Sequence, residues 1–164
     1  MSLTFTGAAD KAAGFARLTD LPNSVAVAPG GATMTLTAAN SGNLILIDTA
    51  TTTITLPPPA LGLTFTFVVT TTATAQKIVT DAATAFIVGG LSMVSAGTSS
   101  GAGNFNGSTH RSFTMNGTTG GGIVGSTFTL TCINVPTATQ VTNHWAIYGC
   151  LQASGVASLS VATS

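Results

Sequence analysis

Polar and apolar positions between residues 43 and 70 fall into three short runs in succession. Leu44 to Ile47 is aliphatic throughout, and Asp48-Thr49-Ala50 reads as a turn. Thr53-Ile54-Thr55-Leu56 then alternates, until Pro57, Pro58 and Pro59 end the run because proline cannot donate to a sheet ladder. After Gly62, Leu63, Phe65, Phe67 and Val69 alternate with Thr64, Thr66, Val68 and Thr70. A period of two places the two sets on opposite faces of a sheet. Burial of one such Phe or Leu contributes roughly 1.5–3 kcal/mol. The stretch therefore predicts the centre of the core, with Leu44, Ile47, Leu56, Phe65 and Phe67 as members.

The same period recurs elsewhere. Ala32–Ala38 alternates; Lys77–Thr80 and Ala85–Val88 read as short strands around a turn at Asp81, and Leu91–Val94 as another after Gly89-Gly90. In Ser126–Cys132, Phe128, Leu130 and Cys132 share one face, and in His144–Cys150 Trp145 and Ile147 share another. Phe128, Leu130 and Trp145 complete the expected core. Residues 95–125 are rich in Gly, Ser, Thr and Asn, with tight-turn signals at Asn106-Gly107 and Asn116-Gly117. They read as long loops and a hairpin at one end of the body, with one strand over Thr109–Met115. In all, about nine to eleven short strands separated by turn residues point to an all-β fold. The expected form is a β-sandwich or jelly-roll-like body of antiparallel strands over 31–164.

Residues 1–30 differ. They hold Asp10, Lys11, Arg17 and Asp20, half of the chain's charged residues, and a short helical pattern over Ala8–Leu18 that Gly14 weakens. The segment reads either as an N-terminal arm or as an ordinary first strand and loop.

Composition changes the picture next. Charged residues are 5% of the 164, against about 25% in ordinary globular proteins, and the formal net charge is zero. The electrostatic footprint of a nucleic-acid or anionic-lipid partner is missing. No apolar run approaches the roughly 18 residues of a membrane helix, and no charged-then-apolar leader opens the chain. A surface this poor in charge is expected to be hidden in contacts with other subunits.

Candidate chemistry is sparse. The four Asp residues are scattered, and Asp48 and Asp81 sit beside turns, where Asp commonly binds its own backbone. His110 and His144 have no acid or thiol near them in sequence. Cys132 and Cys150 match no zinc spacing; they read as small buried hydrophobes, with a disulfide open if their strands are neighbours. Gly101-Ala-Gly103 lacks the third glycine and the helix of a dinucleotide loop. No enzyme, cofactor or metal site is expected, and function is expected to lie in packing against a partner.

Ser41-Gly-Asn-Leu-Ile-Leu-Ile-Asp48, Thr53-Ile-Thr-Leu-Pro57 and Gly62-Leu-Thr-Phe-Thr-Phe-Val68, followed by Gly125-Ser-Thr-Phe-Thr-Leu-Thr-Cys132 and His144-Trp-Ala-Ile-Tyr-Gly149, form a recognisable order of elements. The pattern resembles the head decoration, or cement, proteins of tailed bacteriophages, and also the tip modules of their tail fibres. The resemblance implies a β-sandwich that trimerises on the outer surface of the virion capsid, after synthesis in the host cytoplasm. Its partners would be itself and the major capsid protein, whose subunits it bridges, with no nucleic acid and no membrane. It further implies that the arm lies on capsid subunits through Asp10, Lys11, Phe15, Arg17 and Asp20. The alternative is a tail-fibre or receptor-binding tip that meets the host through the 95–125 loops. A carbohydrate-binding module is weaker, because one Trp and one Tyr supply few aromatic platforms, and a hydrolase is weakest.

Overall fold

The computed structural model describes residues 25–27, 32–81, 83–95, 101–134 and 142–162. The chain winds through two sheets. Strands β1 (Val25–Val27), β3 (Leu44–Ile47) and β5 (Thr64–Val69) belong to one, and β2 (Thr33–Thr35), β4 (Thr53–Thr55) and β6 (Gln76–Val79) to the other. After each strand the chain crosses to the opposite sheet, and each strand then lies parallel to the one two places before it. Val25 aligns with Leu44 and Leu44 with Thr66, while Thr33 aligns with Thr53 and Thr53 with Lys77.

The remaining strands close both layers. β7 (Ala85–Ser95) and β8 (Gly101–Asn106) form an antiparallel pair in the first sheet, and β9 (Ser112–Met115) crosses to the second. β10 (Thr127–Asn134) returns and pairs antiparallel with β5 and with β11 (Asn143–Ala153), which in turn lies parallel to β7. β12 (Ser160–Ala162) ends the second sheet beside β9. The large sheet runs β1-β3-β5-β10-β11-β7-β8 and the small one β12-β9-β6-β4-β2.

The fold is all-β in two mixed sheets, which corrects the expectation of antiparallel strands throughout. Parallel neighbours need a long crossover between them. Here a strand of the opposite sheet serves as that crossover, so short turns suffice.

One core lies between the sheets. Ile47, Leu56, Phe65, Phe67, Phe128, Leu130 and Trp145 are all buried in it, as expected. Phe67 stacks on Phe128 at a 4.8 Å centroid distance, and Phe113 of the small sheet meets Phe128 edge-on at 5.4 Å, which joins the layers. Leu44 is the exception. It is half-buried on the outer side, and Ile45 takes the inward place. Leu44 and Ile47 are an odd number of residues apart, so a strand cannot send both to one face.

Val25–Val27, at the end of the segment that reads either as an arm or as a first strand and loop, is a strand of the large sheet; residues 1–24 and 28–30 lie outside the described residues. Two further expectations change. Ala85–Ser95 is one strand, not two, because the ladder continues through Gly89-Gly90. Gly89 has φ +111°, and a Cβ there would stand 2.5 Å from the Ile147 carbonyl oxygen. Within 95–125, Gly101–Asn106 is strand β8 rather than loop. Its glycines make room for the segment after β11: a Cβ on Gly101 would meet Ala157 at 3.1 Å, and one on Gly103 would overlap Leu159.

Candidate functional site

Burial alternation and register define the outward face of the large sheet. Its middle row runs Leu44, Thr66, Thr129, Tyr148, Gly90 and Asn104 across six strands. The next row runs Leu46, Val68, Thr127, Cys150, Ser92 and Ala102. On the other side, Thr64, Thr131, Ala146, Val88 and Asn106 make a third. No Asp, Glu, Lys or Arg occupies any of these positions.

Four of the five threonines in these rows bond in pairs. The hydroxyls of Thr64 and Thr131 are 3.1 Å apart and those of Thr66 and Thr129 3.2 Å apart, across the β5–β10 pair. Thr129 is only 9% exposed, while Tyr148 beside it is 59% exposed. Ile133 and Val94 are also exposed large apolar side chains. The result is an uncharged surface of methyl groups, aliphatic side chains, two bonded threonine pairs and the Tyr148 ring.

The described charges lie elsewhere. Asp48 and Asp81 are exposed in the turns after β3 and β6. Lys77 is in β6 of the small sheet, in register with Thr53 and Thr114, and Arg111 precedes β9. The expected contact residues Asp10, Lys11, Phe15, Arg17 and Asp20 lie outside the described residues. Among the described residues no three His, Cys, Asp or Glu side chains cluster as metal ligands, and no helix is long and apolar enough to cross a membrane.

The two Asn-Gly turns stand at opposite ends of β9, not together at one end of the body. Each Asn folds its side chain onto its own turn. Asn106 Oδ1 accepts from the Ser108 and Thr109 backbone N–H groups at 3.0 and 3.1 Å, and Asn116 Oδ1 accepts from Thr118 and Gly120 at 3.0 and 2.7 Å. Both histidines gather at the first turn, which the sequence reading missed. The Asn106 N–H donates to His110 Nδ1 at 3.3 Å, and His144 Nε2 is 2.8 Å from the Gly107 carbonyl oxygen, to which it donates. They act as local struts for that turn.

The strands that carry the thiols are neighbours, yet the thiols are far apart. Cys132 pairs in register with Trp145 on the buried face, whereas Cys150 pairs with Thr127 on the outer face. They are not joined in a disulfide.

No family model matches the chain, and comparison with curated proteins and with solved structures finds no match.

Proposed function

We propose that this chain is a virion structural protein: a trimeric decoration or cement protein on the outer surface of a phage head, bridging major capsid subunits. On this reading the two sheets are the layers of a β-sandwich. The protein works through contact area and runs no reaction, and many weak contacts across the shell add through multivalency. One observation carries the reading. Four of the five segments that resemble cement proteins form a contiguous block, β3-β5-β10-β11, within the large sheet, the fifth being β4 of the small sheet, and the outward side of that block is the uncharged face.

Heating particles with and without the protein tests it. Particles that lack it are expected to rupture at a lower temperature; equal rupture temperatures would remove the cement role. Deleting residues 1–20 is expected to abolish attachment to the shell while the body keeps its circular dichroism and cooperative melting. A body that no longer folds would instead make this segment part of the core.

The second reading, a tail-fibre tip, is favoured by the exposed Asn106–Thr109 turn, whose conformation is held by its own side chains. Such pre-ordered turns bind at low entropic cost. Retention on host cells, lost on replacing Ser108 and Thr109 with bulky residues, would support it over the first.

A further inference from the structure

We infer that the outer face of the large sheet is where copies of this chain meet, each copy's face turned toward a shared axis and covered there by the same faces of its neighbours. The number of copies rests on the trimer proposed above; on that reading three such faces close around one axis.

The first argument is charge. A partner that brought an ionised side chain onto these rows would leave it desolvated with no counter-ion, at a cost of several kcal/mol. The matching face of another copy brings no Asp, Glu, Lys or Arg. The second is hydrogen bonding. Covering a hydroxyl that has no partner is costly, but Thr64 and Thr131, and Thr66 and Thr129, already bond to one another. Their methyl groups, with Leu44, Leu46 and Val68, can lose water at lower cost.

The third argument is area. Six strands about 4.8 Å apart, with three rows about 6.8 Å apart, make a face of roughly 29 by 20 Å, on the order of 600 Å². At about 600 Å² from each copy, against roughly 800 Å² per partner in a standard interface, two such faces together give on the order of 1,200 Å², the lower end of specific protein interfaces. Tyr148 stands in the middle row, well exposed, and Tyr is enriched among the residues that dominate such contacts.

Light scattering coupled to size exclusion tests this on the isolated protein, with no particle present. Tyr148→Glu and Thr127→Lys both fall at positions exposed in the single chain, so the body should fold as before, which circular dichroism and melting temperature would check. The native chain is expected to elute as a trimer and both variants as monomers at the same concentration. Thr33→Lys, at an exposed position in the small sheet, should remain a trimer. Trimeric Tyr148→Glu and Thr127→Lys proteins would overturn the face while leaving the trimer standing. A native chain that is monomeric at every concentration would overturn both.

Discussion

Phe67→Asp is expected to leave no folded protein. Phe67 has no exposed surface and stacks on Phe128, which in turn meets Phe113 of the opposite sheet. Removing the ring alone would cost about 3–5 kcal/mol. The carboxylate adds the penalty of an unpaired buried charge, several kcal/mol more. Together these approach or exceed the roughly 5–15 kcal/mol by which native domains are stable. The measurement is soluble yield, near-ultraviolet circular dichroism and the presence of a melting transition. Thr66→Asp is the comparison, because Thr66 is the next residue along the strand and faces outward. It should keep its near-ultraviolet circular dichroism and a cooperative melt, but as a monomer, because the new charge lies on the face inferred above to join copies. Equal melting of Phe67→Asp and Thr66→Asp would mean that the core does not lie on the Phe67 side.

That contrast between adjacent residues was legible in the sequence, because side-chain period is a local property. Phe65, Phe67, Phe128, Leu130 and Trp145 each stand in an alternating run, and each is buried. In the unbroken run Leu44–Ile47 the period is silent: all four residues are aliphatic, and only pairing decides that Ile45 and Ile47 point inward. Strand direction was not legible either. Alternation reads the same in parallel and antiparallel ladders, and the winding of β1 to β6 between two sheets depends on partners far along the chain. Glycine misled twice, at Gly89-Gly90 and at Gly101–Gly103. Read locally it marks a break; here it marks a close approach of backbone or of Leu159.

The candidate surface was half legible. The sparse charge pointed to a covered exterior, and Thr64, Thr66 and Val68 were already separated from the core set by the period. What was missing was the register that sets Thr66 beside Thr129 and Tyr148. Without it, three uncharged strand faces do not add up to one surface.

Gly149→Ala is expected to be the most damaging of the small substitutions, although it adds a single methyl group. Gly149 lies in β11, near the middle of the large sheet, paired with Phe128 on one side and Leu91 on the other. Its φ is +150°, a conformation that residues with a Cβ rarely adopt. A Cβ there would stand 2.5 Å from Phe128 Cα and would overlap the Thr127 carbonyl oxygen. These are backbone atoms, so no rotamer change relieves the clash. The strand must shift, and the shift is felt at Phe128, where the two layers join. Strain and overpacking together should cost about 2–5 kcal/mol. Gly62→Ala separates the two causes, since Gly62 has φ +85° with no atom within 4 Å of the added Cβ. It meets backbone strain alone and should lose about 1–2 kcal/mol. Urea denaturation of both variants gives the comparison directly. If Gly149→Ala lost no more stability than Gly62→Ala, the close contact between β10 and β11 would not constrain the sheet, and the central block would be looser than its geometry requires.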